Sequence, residues 1–309
     1  MEPLLTVSVP VFGLILCGYL AGTFGVLGAP SSDALNRFVY YFALPALLFI
    51  FVARAPLERI LYWPFLAAWG GSLIVTYTLT AILGKFLYRD QLAPISLRAM
   101  NATFANTGYM GIPLAITAFG DDAALPAIIA TAVMSILLIG PTITLIEAGL
   151  TQQRNTSLVV RDVTFALAKN PLIVSVVAGA LVPVFGIALP LALAKFCDLL
   201  SAAAGPCALF AIGLFISSQT LGRHVGEASL ITGIKLIVHP LVAWLLVTVF
   251  RVEPLWATVA ILMAALPAGV NCFVLAQRYN VYVATTSATI LLSTGLSVVT
   301  VSLLLVLMR

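Results

Sequence analysis

Apolar runs of about 20 residues, the length a helix needs to cross a bilayer, recur along this chain between short polar interruptions. Ten segments qualify, at 4–22, 33–52, 63–86, 94–118, 123–148, 171–187, 191–217, 228–250, 255–279 and 282–307. The longest polar stretch, Thr151 to Asn170, holds Arg154, Arg161 and Lys169 and divides the spans five and five. The pattern predicts an all-α integral membrane protein of ten transmembrane helices. Residues 1–150 form a first five-helix half, 151–170 a cytoplasmic linker and 171–309 a second half.

Two spans are broken. The fourth contains Asn106-Thr107-Gly108-Tyr109-Met110-Gly111-Ile112-Pro113, and the ninth contains Pro267-Ala268-Gly269-Val270-Asn271. Gly108 and Gly111 admit backbone angles that other residues resist. Pro113 suits the first turn of a new half-helix, where its missing N–H is not needed. Pro267 and Gly269 end one half-helix, and Asn271 is placed to cap the next. Irregular backbone at membrane depth survives only where it is buried in protein or lines a cavity. Matched breaks in the two halves therefore point to the binding site of a secondary transporter. A half-helix N-terminus offers unpaired N–H groups and partial positive charge, and Asn106, Thr107 and Asn271 add side-chain donors. Neither break holds Asp or Glu. A site with donors and no carboxylates favours an anionic substrate over a bare cation.

The halves correspond. A shift of 161 residues aligns Pro10 with Pro171, Gly18 with Gly179, Pro45 with Pro206 and Gly108 with Gly269. The same shift aligns Leu48-Phe49 with Leu209-Phe210 and Leu114-Ala115 with Leu275-Ala276. An odd number of spans per half makes the second half enter the membrane from the opposite side. That is an inverted repeat.

Composition agrees with the span pattern. Of the 309 residues 62% are hydrophobic and 8% charged, against roughly 25% charged in a soluble domain, and the mean hydropathy is +1.14. The net charge of +4 comes without a basic run interleaved with aromatics, so nucleic acid is not an expected partner. With the N-terminus outside, nine basic residues fall on the inner side (Arg37, Lys85, Arg89, Arg98, Arg154, Arg161, Lys169, Arg223 and Arg278) against five outside (Arg54, Arg59, Lys195, Arg251 and Arg309). That bias predicts both termini outside the cytoplasm. The start, Met1-Glu2-Pro3, has no basic n-region and reads as a first transmembrane helix. Cys17, Cys197, Cys207 and Cys272 sit in apolar stretches without C-x-x-C spacing and read as small hydrophobes.

A few further groups stand out. Lys235 and His239 lie four apart in the eighth span and share a face. A charge at the bilayer centre costs about 2.5–3.5 kcal/mol, so it needs a partner. Lys235 is placed either to pair with Asp198 of the seventh span or to help neutralise a bound carboxylate. His239 is a candidate proton carrier in a coupling step. The plainer alternatives are that Lys235 snorkels to the interface and that His239 bonds a neighbouring carbonyl. Asp198 and Glu147 read as interfacial. Gly18 and Gly22 form a G-x-x-x-G, a mark of close helix packing. Trp63, Trp69, Trp244 and Trp256 fall mostly near span ends, where belt aromatics belong.

At Asn106–Pro113, at Leu266-Pro-Ala-Gly-Val-Asn-Cys-Phe-Val-Leu-Ala-Gln-Arg-Tyr279 and at Ala43-Leu-Pro-Ala-Leu-Leu-Phe49, the chain resembles the auxin efflux carrier family, its bacterial branch in particular. The resemblance spans the whole chain. It implies two inverted five-helix repeats, with helices 1, 2, 6 and 7 as a scaffold and helices 3–5 and 8–10 as a mobile transport domain. Helices 4 and 9 would cross at the site. It implies carriage of organic anions, since plant relatives export the carboxylate auxin and bacterial relatives are linked to malonate, malate and similar acids. A homodimer is implied as well. The chain departs from the plant pattern at Cys272, where those carriers have a second proline. Its third span also lacks the Asp and Lys they hold near their site.

The sequence thus predicts an inner-membrane carrier of a small mono- or dicarboxylate such as malonate, working by alternating access. Asn106, Thr107, Gly108, Gly111, Pro113, Pro267, Gly269 and Asn271 form its substrate site. Lys235, His239 and Asp198 are candidates for coupling or charge support. An auxin-like aromatic carboxylate exporter and an anion channel of the same fold are the alternatives. No cofactor or metal is expected. A membrane-embedded enzyme is disfavoured, because His224, His239 and a few intramembrane carboxylates make no convergent catalytic set.

Overall fold

The computed structural model describes residues 2–89, 91–150, 161, 164–165, 168–219 and 225–308. Arg154, Arg223, His224, Arg309 and most of the expected 151–170 linker lie outside the described residues. Among the described residues the regular elements are all helices, and extended pairing is confined to one isolated bridge, Ala105 with Ala268. Among the described residues six helices are long and apolar enough to cross a membrane: Pro30–Ala53, Leu57–Tyr88, Asp121–Leu150, Leu191–Ser217, Val225–Val249 and Val283–Leu307. Four shorter apolar helices, Val9–Thr23, Thr107–Phe119, Pro171–Val184 and Pro254–Ala265, fall on the first, fourth, sixth and ninth expected spans. Proline near the first turn starts several helices, with its missing N–H costing nothing there; Pro64, Pro171 and Pro254 are examples. Asn170 adds a cap, its Oδ1 accepting the Leu172 N–H at 3.0 Å.

Prolines inside the chain act differently. Pro45, Pro113 and Pro240 each follow a single π-helical turn, Val39–Ala43, Thr107–Gly111 and Ile234–Val238. A proline cannot donate, and its ring crowds the carbonyl four residues back. The helix responds by lengthening its hydrogen bonds to five residues just ahead of the ring. The N–H groups of Leu44, Ile112 and His239 accordingly donate to the carbonyls of Val39, Thr107 and Ile234.

Small residues set the closest helix contacts. The Glu2–Thr23 helix lies against Leu191–Ser217. A Cβ on Gly18 would sit 2.1 Å from the Phe210 carbonyl oxygen, and one on Gly213 would sit 2.0 Å from that of Ile15. The Leu44–Ala53 helix packs on Pro171–Val184, with Gly179 admitting the Phe49 carbonyl. Elsewhere Trp63–Tyr88 packs with Leu92–Thr103, Ala124–Leu150 and His239–Val249, and Val225–Gly233 packs with Val283–Leu307. Trp69 and Trp256 are buried, unlike the belt role expected for them, while Trp63 and Trp244 are exposed. Trp69 Nε1 donates to the Ala130 carbonyl at 2.9 Å.

Gly213→Leu is expected to lower the apparent melting temperature in detergent by several degrees, because backbone stands where the side chain would go. Gly13→Leu on the first helix, with nothing within 4 Å of its Cβ position, is expected to leave it unchanged. Static light scattering on heating checks both.

Candidate functional site

The fourth and ninth expected spans are each two helices separated by non-helical residues. Leu92–Thr103 stops at Phe104, and helix resumes at Thr107. Pro254–Ala265 stops at Leu266, and helix resumes at Asn271. The two gaps meet. Asn106 N–H donates to the Pro267 carbonyl at 2.9 Å, and Gly269 N–H donates to the Phe104 carbonyl at 2.9 Å. Neighbouring groups complete the satisfaction of the gaps: Ala268 N–H donates to Ser293 Oγ at 3.1 Å, and Ala105 N–H to Met134 Sδ at 3.3 Å.

The glycines act by size and not by backbone angle. Neither Gly108, Gly111 nor Gly269 has a positive φ. At Gly269 a Cβ would stand 2.9 Å from the Phe104 ring and 3.0 Å from the Ala105 carbonyl oxygen. At Gly111 it would stand 2.6 Å from both Leu266 Cδ1 and Met263 Sδ. Gly108 has ordinary room, its nearest neighbour at 3.7 Å. Two further expectations are corrected. Asn271 is the first helical residue and not the cap; Val270 holds that place, without a side-chain cap bond. Pro113 enters a helix already begun by the π turn from Thr107.

Both resumed helices begin at one cavity of about 30 Å³, lined by Asn106, Thr107, Gly108, Gly269, Val270 and Asn271 together with Tyr40, Tyr109, Thr131 and Ser135. Two partly positive dipole ends therefore converge there, although the N–H groups of Thr107, Met110, Cys272 and Phe273 are already taken by the carbonyls of Ala105, Asn106, Gly269 and Val270. The Thr107 hydroxyl, on a residue 1% exposed, has no hydrogen-bond partner among the described residues. No acidic side chain lines the cavity. Its volume suits about one water, so in this conformation a dicarboxylate does not fit. Gly111, Pro113 and Pro267 are not part of its lining. Pro113 lines a larger cleft of about 310 Å³ instead, beside Pro10 and Pro206.

The sequence missed Tyr40, Tyr109, Thr131 and Ser135. A readable signal existed for one pair: Thr131 and Ser135 form an i, i+4 hydroxyl stripe in an apolar helix, each back-bonding four residues behind at 2.8 Å.

The intramembrane charges pair otherwise than expected. Asp198 is held by Arg54 through two bonds of 2.9 and 2.8 Å on an exposed face, so it is not the partner of Lys235. Lys235 does not snorkel. It is fully buried, and its Nζ donates to the Ala264 carbonyl at 2.6 Å and lies 3.2 Å from His239 Nδ1. His239 bonds that ammonium instead of a carbonyl, and its ring stacks on Trp69 at 5.8 Å between centroids. Neither residue lines the small cavity. Glu147, near the end of its helix, is buried against protein and accepts the Tyr279 hydroxyl at 2.9 Å.

The interior also holds an ion pair that no local sequence pattern marks. Arg98, counted only as an inner-side charge, has a side chain 3% exposed and bonds Glu227, with Nε to Oε1 at 2.8 Å. Tyr282 bonds the same carboxylate oxygen, and the guanidinium lies 4.2 Å above the Tyr88 ring. Gly84 leaves it room, since a Cβ there would meet Arg98 Nη1 at 2.5 Å.

A family model described as "Membrane transport protein" matches residues 3–305. A protein of Rhizobium meliloti (strain 1021) named "Putative malonate transporter" is 34% identical over 301 residues, covering 97% of this chain and 94% of that one. An "Uncharacterized transporter" of Methanothermobacter thermautotrophicus is 27% identical over 298 residues, covering 95% and 94%. The "Uncharacterized transporter YfdV" of Escherichia coli (strain K12) is 24% identical over 299 residues, covering 92% and 91%.

Two outcomes are expected for stability. Glu227→Ala should destabilise the protein by at most about 3–5 kcal/mol by removing a carboxylate from the guanidinium of Arg98, and Arg98→Met/Glu227→Met should recover part of that loss. Gly269→Ala should cost roughly 1–3 kcal/mol while Gly108→Ala stays within about 0.5 kcal/mol. Unfolding in graded denaturing detergent ranks the four variants.

Proposed function

We propose, from the premise that this chain belongs to the membrane transport protein family, the auxin efflux carriers of the sequence analysis, that it carries a small mono- or dicarboxylate such as malonate across the inner membrane. The observation that carries this reading is the convergence of two half-helix N-termini and an unpartnered buried hydroxyl on one cavity without a carboxylate. Such a site attracts a negatively charged group. The relative named for malonate supports the substrate class.

The working cycle is alternating access by two inverted five-helix repeats. Helices 1, 2, 6 and 7 form the scaffold, helices 3–5 and 8–10 the moving part, and both termini lie outside the cytoplasm. The glycine-mediated contact of Glu2–Thr23 with Leu191–Ser217, and that of Leu44–Ala53 with Pro171–Val184, support a unit of the first kind. Asn106, Thr107, Gly108, Gly269 and Asn271 bind the carboxylate. Gly111 and Pro267 hold the crossing of helices 4 and 9, and Pro113 faces the cleft through which the site opens. The small cavity is the occluded state; moving the two parts against each other enlarges it toward one side or the other.

Uptake of labelled malonate into proteoliposomes tests the reading. Saturable uptake is expected, stimulated by unlabelled malonate on the opposite side, which a channel would not show. Asn106→Ala and Asn271→Ala should each lower the rate roughly tenfold with the protein still folded. An imposed pH gradient decides whether protons are coupled. No uptake above empty liposomes would remove malonate as substrate.

A further inference from the structure

Lys235 is fully buried, and its place is specific. Its Nζ reaches the carbonyl of Ala264, in the last turn of the Pro254–Ala265 half-helix, at 2.6 Å. The last carbonyls of a helix lack intrahelical donors and carry its partial negative charge. At a broken transmembrane helix such carbonyls are where carriers coordinate a coupling cation. The second contact is with His239 Nδ1 on the same helix face. With Lys235 as an ammonium, which has only donors, His239 Nδ1 is the acceptor of the 3.2 Å contact. The other ring nitrogen, Nε2, has no hydrogen-bond partner among the described residues.

The surroundings offer no conventional counter-charge. In the first turn of the following half-helix the ionisable group is Cys272, whose thiol points to the Met100 carbonyl at 3.8 Å; Arg278 and Tyr279 lie at that half-helix's far end. Glu227, two turns earlier on the same helix, is occupied by Arg98 and Tyr282. Asp198 is engaged by Arg54 on the outer face of another helix. Among the described residues, Lys235 makes no salt bridge. The π turn Ile234–Val238 that carries it is there because of Pro240. That turn shifts the angular position of Lys235 relative to an unbroken helix.

We infer that Lys235 is a tethered cation: its ammonium, held by the Ala264 carbonyl and His239 Nδ1, supplies the positive charge at the half-helix end that a free cation would otherwise bring. Lys235 is thus a positioning residue. It fixes the end of one half-helix immediately before Leu266–Gly269, the segment that exchanges hydrogen bonds with Phe104–Asn106. Its effect on transport rests on the carrier reading above, but its effect on structure does not.

The test separates the two. Lys235→Ala opens a space with the charge removed, and Lys235→Met fills the space without charge. In detergent, methylammonium chloride is expected to raise the melting temperature of Lys235→Ala relative to equal choline chloride, with no such difference for Lys235→Met or the wild type. Sodium chloride is expected to stabilise the wild type no more than choline chloride does. In proteoliposomes, Lys235→Met is expected to be folded and to transport roughly tenfold more slowly, the order set by losing a charge partner at a half-helix end. Equal action of methylammonium on both variants, sodium-specific stabilisation of the wild type, or wild-type uptake by Lys235→Met would each overturn the assignment. If the wild type itself takes up no malonate, the carrier reading fails while the melting comparison still decides Lys235.

Discussion

A backbone N–H or C=O in hydrocarbon has no water to bond, and each one left unsatisfied costs several kcal/mol. The whole arrangement around Phe104–Asn106 and Pro267–Gly269 is a response to that constraint. Each gap leaves extended backbone in the interior, and each supplies the donor or acceptor the other lacks. This mutual satisfaction requires the two main chains to touch, which is why Gly269 has no room for a Cβ. It also fixes the directions of the helices that leave the gaps, so the starts of two half-helices end up at one cavity. The breaks are tolerable only together, and being together they concentrate partial positive charge at one point.

Much of this was legible in the amino-acid order. Apolar runs located the six helices that are long enough to cross a membrane among the described residues, and Pro and Gly in apolar surroundings located both interruptions to within a few residues. What was not legible was how each residue serves. Gly108 and Gly111 suggested unusual backbone angles, yet the angles are ordinary and Gly111 and Gly269 matter through closeness. Asn271 had the chemistry of a cap and sits one residue too late. A propensity describes what a residue can do in isolation, whereas the neighbouring main chain decided these positions.

Charge pairing was read least well, for a related reason. Lys235 and Asp198 looked complementary because they are the conspicuous charges of adjacent spans, but Asp198 faces Arg54. Arg98 and Glu227 lie 129 positions apart and pair across the interior. No local pattern encodes such a distance. The glycine opposite Arg98 is intelligible only once the packing is known. Likewise the three π turns follow from Pro45, Pro113 and Pro240, but neither Pro10 nor Pro206, also inside helices, is preceded by one. We have no physical account of that difference.

The reciprocal bonding of the two gaps has a consequence for biosynthesis. The ribosome delivers Phe104–Asn106 to the membrane about half a chain length before Pro267–Gly269 exists. For that interval the first gap lacks its partners, and a nascent chain held in lipid has none to offer. Its N–H and C=O groups must be kept wet or sheltered by the insertion machinery until the second half arrives.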